Sequence, residues 1–273
     1  MNNLNIVWGD INWQKVKRNV SRYQHRIYNA SKENQRSKMR FLQKQVINSL
    51  DAKLLAVKSI TTENRGSKTV GMDKQKYVSD KEKSLFVSKL RIDGKASPLM
   101  SISTPKPGKS EMQPLGMSTI RDRAKQYLVL LALDPEWEAK FEPNSYGFRP
   151  GRNCYDAVQA IYGHLKLGRN QPIFKQYVLN ADIIDTLPEI KLQIKSWLEA
   201  GLTEDYLRAD KYNLIPANRL GTPQGGIISP FLANVALHGL ETHLKNWIAE
   251  KQGPIEYFST GNRNYPSKRS KMS

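Results

Sequence analysis

The stretch "NRLGTPQGGIISPFLANVALHGLE", Asn218 to Glu241, decides how the rest of the chain is read. Its first half gathers Gly221, Pro223, Gly225, Gly226 and Pro230, and an apolar, helix-like run follows. Glycines so placed let a backbone approach a neighbour closely or take up positive φ. The stretch predicts a tight turn leading into a helix from Gly226 to about Glu250. Gln224 beside Gly225 and Gly226 combines a side chain that both donates and accepts hydrogen bonds with two residues free of side-chain bulk. Such a turn suits close approach to a polar ligand. An ordinary glycine-rich strand-to-helix turn is the alternative.

Charge narrows the ligand. The 273 residues carry 43 Lys and Arg against 25 Asp and Glu, a formal charge of +18. That excess points to a polyanionic partner, with nucleic acid ahead of membrane. Half of it lies in the first 60 residues, where twelve basic residues face only Asp10, Glu33 and Asp51. A single cysteine, Cys154, excludes an internal disulfide framework and any Cys-rich zinc site. His25, His164, His238 and His243 show no ligand spacing. No apolar run of membrane-spanning length and no signal-peptide pattern is present, so the expectation is a soluble, cytoplasmic protein, with an organelle left open.

Periodicity places the elements. Trp13, Val16, Val20, Tyr23 and Ile27 recur at three- and four-residue steps and predict an amphipathic helix from Asp10 to about Asn29. Lys15, Lys17, Arg18, Arg22 and Arg26 occupy its other faces. Met39, Leu42, Val46, Leu50 and Leu54 predict one further helix from about Glu33, crowded with Arg36, Lys38, Arg40 and Lys44. The pair reads as a helical hairpin, apolar inside and basic outside, and the basic faces are candidates for RNA phosphates. A merely solvated face is the other reading. Downstream, a turn-rich stretch spans Thr61 to Asp73, and a short helix is expected over Asp80 to Leu90. "SISTPKPGKSEMQPLGM" predicts two strands around a hairpin, and Thr119 to Phe141 a long helix kinked or divided by Pro135. A loop follows to Asn153, then a helix over Tyr155 to Leu167. "QYVLNADI", Gln176 to Ile183, reads as a buried strand, and Glu189 to Ala200 as a helix. After Lys251 the chain is polar, basic and turn-rich, which predicts a disordered tail over residues 251–273.

Several segments together resemble the group II intron reverse transcriptase/maturase family over roughly residues 6 to 248. "WGDINWQKVKRNVSRYQHRIYNA" and "AKLLAVKSITTENRGSKTVGMD" resemble its amino-terminal domain. "PKPGKSEMQPLGMSTIRDRAKQ", "EPNSYGFRPGR", "YVLNADI" and "GTPQGGIISPFLANVALHGLE" resemble, in order, successive fingers and palm motifs. The resemblance implies an α+β fold: a helical amino-terminal domain over residues 1–75, then fingers and an incomplete right-hand polymerase palm over 76–250. It implies RNA-directed DNA synthesis with magnesium (a nucleotidyltransferase of mobile elements) and assistance to intron RNA folding and splicing. RNA, intron RNA foremost, is the implied partner, and DNA a second. It places Gln224, Gly225 and Gly226 against the nascent base pair and incoming nucleotide. Lys106 and Lys109 fall at fingers positions that meet template or triphosphate. In "SYGFRPGR", Arg149 and Arg152 flanked by Tyr146 and Phe148 suit phosphate and stacking contacts, or else form a structural loop with core aromatics.

The catalytic set implied by the resemblance is incomplete in these residues. Two-metal polymerase chemistry needs several carboxylates aimed at one point, since magnesium takes oxygen ligands. Asp182 in "NADI" matches the first; Asp185, three residues on, faces the other side of an extended strand. No Asp-Asp pair occurs anywhere, and beyond Glu250 the only acid is Glu256, so the Tyr-X-Asp-Asp hairpin is not encoded. Compared with the family pattern, about sixteen residues are missing after Ile184, roughly a strand and a turn of helix. Gln113 also stands where the family has arginine, which removes a guanidinium fork. The expectation is a truncated, internally deleted relic that binds RNA, holds magnesium at Asp182 unproductively and does not polymerise alone. A split enzyme completed by a second chain and a non-catalytic basic RNA-binding protein are the alternatives.

Overall fold

The computed structural model describes residues 7–63, 77, 79–105, 112–167, 188–199, 202–203, 226–252, 257–260 and 263–266. A single 3₁₀ turn, Trp8–Asp10, leads into α1, Trp13–Lys32. The Asn12 side chain caps α1 by accepting from the Lys15 N–H at 3.0 Å. Val16, Val20, Ile27 and Ala30 are buried, while Lys15, Lys17, Arg18, Arg22 and Arg26 are exposed, as the periodicity requires. Asn34, at φ 56°, ends the helix in the left-handed region, and the Gln35 N–H reaches back to the Ala30 carbonyl at 2.8 Å. Asparagine tolerates that conformation better than most residues.

The second expected helix is two helices, α2 (Arg36–Asn48) and α3 (Leu50–Lys58). Ser49 breaks them apart: its backbone is extended at ψ 139°, and its hydroxyl caps α3 by accepting from the Ala52 N–H at 3.1 Å. Because the phase resets at Ser49, Leu50 leaves the buried stripe and is exposed, whereas Ala52 and Leu54 are buried. The α3 helix runs on into a π-helical turn, Ser59–Glu63. The next helix, α4 (Asp80–Lys89), starts at a capping box formed by Ser79 and Glu82.

Strands β1 (Leu99–Pro105) and β2 (Met112–Met117) pair antiparallel, with Met100 opposite Met117 and Pro105 opposite Met112. A two-residue strand, β3 (Leu202–Thr203), adds in parallel to β1, giving the order β2-β1-β3. The parallel partner was not legible in the sequence. The long helix α5 (Ile120–Glu138) begins at Thr119, whose side chain accepts from the Asp122 N–H. It runs through Pro135 undivided. Proline has no N–H to give the Leu131 carbonyl one turn back, and Gln24 Nε2 from α1 donates to that carbonyl instead, at 3.1 Å.

Helices α1, α2 and α3 pack on α5. Gln43, fully buried, donates to the Glu136 carboxylate at 2.6 Å and to the Ala132 carbonyl at 3.3 Å, and Ser31 Oγ donates to the Glu136 carbonyl at 3.0 Å. Glu136 is also paired with Lys140 at 2.6 Å. Buried residues on both sides of residue 75 form one cluster, from Trp8 through Leu128 to Val235. Each fully buried aliphatic side chain in it contributes about 1.5–3 kcal/mol of transfer free energy.

The remaining helices are α6 (Cys154–Leu167), α7 (Pro188–Glu199), α8 (Ser229–Ala236) and α9 (Leu240–Gln252). The single helix expected over Gly226 to Glu250 is thus two, divided at Gly239, whose φ of 93° no helix tolerates. The tail expected to be disordered contains a two-stranded antiparallel pair, β4 (Tyr257–Thr260) with β5 (Arg263–Pro266). In its register Phe258 stands opposite Tyr265 and Thr260 opposite Arg263.

Candidate nucleic-acid interface

The basic residues expected to meet RNA lie on two helix surfaces. On α1 they are exposed, and Arg26 lies over the Tyr23 ring at 6.0 Å. On α2, Arg36, Lys38, Arg40 and Lys44 are exposed, and Lys38 Nζ donates to Gln35 Oε1 at 2.9 Å. Neither helix has an acid in its first turn. Lys15, Arg36 and Lys38 stand instead in the first turns, where the helix dipole is itself positive. A cation there opposes the dipole by about 0.3–1 kcal/mol, so these positions do not serve helix stability. They concentrate positive potential.

The "SYGFRPGR" loop resolves its two arginines differently. Arg149 is buried, 5% exposed. Its Nε and Nη2 form a fork on the Glu138 carboxylate at 3.0 and 2.7 Å, and Nη1 donates to the Glu142 and Ser145 carbonyls at 3.0 and 2.6 Å. Its guanidinium also lies over the Phe141 ring at 5.0 Å. The fork holds the loop to the end of α5. Arg152 is half-buried, donates to the Pro143 carbonyl at 2.6 Å and lies over Tyr146 at 5.4 Å. Phe148, by contrast, is 82% exposed and sits at φ 54°. Glu142 anchors the loop to α9 by accepting from the Glu241 and Thr242 N–H groups at 3.1 and 2.8 Å. Burial alone would raise the Glu142 carboxyl, but the hydrogen bonds from Thr242 and its neighbours outweigh that and hold it below its ordinary value.

Near this loop Asp134 is pushed up to about 6, first by burial and then by the Glu138 charge, with Arg149 pulling it partly back. A second polar latch joins the residues before β1 to α5 and α7. Lys125, buried, donates to Asp93 at 2.6 Å and to the Lys95 carbonyl at 2.9 Å, and Arg121 pairs with Asp93 at 3.1 Å. Burial raises the Asp93 carboxyl, but Lys125, the Lys95 N–H and Arg121 outweigh it and hold the group low. Gln193 of α7 accepts from the Gly94 N–H and donates to the Lys95 carbonyl. Sequence reading missed this latch; the Asp93-Gly94 dipeptide, a turn signal with Gly94 at φ 69°, was its only trace.

Of the glycine turn, the structure describes Gly226 onward. Gln224 and Gly225 lie outside the described residues, as do Lys106, Lys109, Asp182 and Asp185. A Cβ on Gly226 would fall 2.5 Å from Ser229 Oγ, so the hydroxyl would have to turn away, and 3.6 Å from Gln126 Oε1, an ordinary contact. Gln126 Oε1 also accepts from the Ile227 N–H at 2.8 Å, tying the turn to α5. Gly226, Gly116, Ser118, Asp122 and Trp197 line a cavity of ≈ 20 Å³. Gln113 stands in β2 opposite Thr104. Among the described residues no three His, Cys, Asp or Glu side chains are placed to hold a metal ion. Magnesium, which the resemblance assigns to Asp182, has no described donor set. Among the described residues, too, no helix is long and apolar enough to cross a membrane.

A helical amino-terminal unit is thus seated on α5, with a strand pair ahead of α5 and the Gly226 turn tied to it. Residues 8–90 match the family described as the N-terminal domain of reverse transcriptase, and residues 104–253 match reverse transcriptase (RNA-dependent DNA polymerase). The chain belongs to the reverse transcriptase family. Among its relatives is the group II intron-encoded protein LtrA of Lactococcus lactis subsp. cremoris, 31% identical over 65% of this chain and 31% of that protein. Protein YkfC of Escherichia coli is 29% identical over 68% of this chain and 52% of its own length. A 91 kDa protein in the cob intron of Schizosaccharomyces pombe is 31% identical over 52% of this chain and 18% of its own length. The chain thus spans about half the length of the curated relatives it matches, or less.

Proposed function

We propose that this chain is a group II intron-type reverse transcriptase/maturase segment whose working surface is the basic face of α1 and α2, and that it binds RNA, intron RNA foremost. The observation that carries this is the placement of exposed cations at the dipole-positive starts of both helices, where neither first turn holds an acid. A face that is only solvated gains nothing from opposing its own dipoles. A face that meets phosphates gains counterion release. The 273 residues encode Asp182 but no Asp-Asp pair, so they do not carry polymerase chemistry unaided. Family likeness makes magnesium the metal of that chemistry, with Asp182 as one ligand. The amino-terminal domain takes residues 1–75, and the fingers and partial palm residues 76–250.

Salt titration of RNA binding tests the proposal. Affinity should fall with salt at a log–log slope of about 0.7 per contacted phosphate on single strands. Replacing Lys17, Arg18 and Arg22 by Ala should flatten that slope and weaken different RNA sequences alike, because phosphate contacts carry no sequence information. A triple variant that binds like the parent sinks the proposal. Primer extension on an RNA template with magnesium should stay at background for this chain alone.

One observation favours a second reading, completion of the palm by another chain. Tyr155, Val158 and Tyr162 stand exposed along α6, beside a loop that also exposes Phe148. An apolar helix stripe in that position suits a protein partner.

A further inference from the structure

We infer that Phe41 is a stacking platform for an unpaired RNA base, so that the α2 surface selects single-stranded or bulged RNA over duplex. The inference rests on the RNA-binding reading above. Met39, Leu42, Gln43, Val46 and Ile47 form the buried side of α2. Phe41 points the other way and is 59% exposed. It sits at the middle of the solvent side, with Lys38 three residues before it, Lys44 three residues after and Arg40 adjacent, all exposed. Positions three apart on a helix are surface neighbours, so the ring is bracketed by cations along the axis. No Asp or Glu occurs anywhere in α2.

That arrangement is specific in its chemistry. A phenylalanine on the solvent side of a helix adds nothing to phosphate attraction, and water solvates it poorly. A duplex offers it only phosphates and sugars, because base faces are hidden in the stack. An unstacked base offers a π-face, with its own phosphate in reach of Lys38, Arg40 or Lys44. Aromatic platforms flanked by cations bind single strands in this way and tolerate any base. The neighbouring helix α1 has cations, a half-buried Tyr23 beneath Arg26 and the exposed imidazole of His25, but no exposed ring as large and apolar as Phe41, so the stacking function falls on α2.

The test uses the full chain with a 20-nucleotide uridine homopolymer and a 20-base-pair RNA duplex, read by fluorescence anisotropy over a range of salt. Phe41→Ala should weaken the single strand on the order of ten-fold, leave duplex binding within two-fold, and leave both salt slopes unchanged. Phe41→Tyr should bind as the parent, while Phe41→Leu should fall with Phe41→Ala. Equal losses on both RNAs, no loss on either, or a Phe41→Leu variant as good as the parent would each overturn the inference. The Lys17, Arg18, Arg22 triple variant separates the two levels: it should lose affinity for both RNAs. If it does and Phe41→Ala does not discriminate, the stacking assignment falls and the RNA-binding reading stands. If the parent binds neither RNA, both fall together.

Discussion

Arg149→Met removes the guanidinium that joins the "SYGFRPGR" loop to α5 while keeping apolar bulk against Phe141. The parent side chain is almost wholly buried, and its partner Glu138 is 27% exposed. Breaking a buried pair by deleting one partner typically costs 3–5 kcal/mol, because the other is left uncompensated. Water reaches Glu138 in part, which lowers the expected loss to about 2–4 kcal/mol. The Glu142 and Ser145 carbonyls lose a donor in the same step. Arg149→Lys should rescue little, since a point charge cannot reproduce the two-pronged geometry. The assay is urea denaturation, paired with RNA binding below the transition. Stability should fall and the salt slope of RNA binding should not change. A variant of parental stability whose salt slope drops by the equivalent of one phosphate would refute the reasoning, because Arg149 would then face RNA.

Asp134→Asn should stabilise the protein at pH 8, by at most about 3 kcal/mol if the roughly two-unit upward displacement is fully realised. An acid whose folded pKa is raised binds its proton more tightly when folded. Wild type should therefore gain stability as pH falls through about 6 toward 4, and the gap to the variant should close over that window in urea melts. A gap constant from pH 8 to pH 5 would contradict this. Gln24→Ala should cost about 1 kcal/mol by stranding the Leu131 carbonyl, and less in a Pro135→Ala background, where residue 135 regains an N–H to serve it. Additive effects in that double-mutant cycle would show that the two residues are not coupled. Ser49→Ala should also cost about 1 kcal/mol by removing the α3 cap, with the thermal midpoint as the measure.

The elements with strong local signals were legible in the residues alone. The α1 stripe and its exposed cations followed from three- and four-residue spacing, and α5 and the β1–β2 hairpin from periodicity and proline punctuation. The order of four motifs was enough to place the chain among reverse transcriptases, because each motif carries unusual residue types at fixed intervals. What failed were continuities: Ser49 and Gly239 each divided an expected helix, since a side-chain cap or one positive φ resets a phase that the apolar pattern averages over. Only the tertiary structure decided which polar groups face inward. Arg149 and Arg152 are one motif in the sequence, yet one is buried in a fork on Glu138 while the other, half-buried, holds the Pro143 carbonyl and lies over Tyr146. Gln24, Ser31 and Gln43 look like ordinary helix residues; α5 turns them into donors for its carbonyls and for Glu136, one of which exists because Pro135 has no N–H. Such roles depend on residues about a hundred positions away, and local spacing carries no record of them.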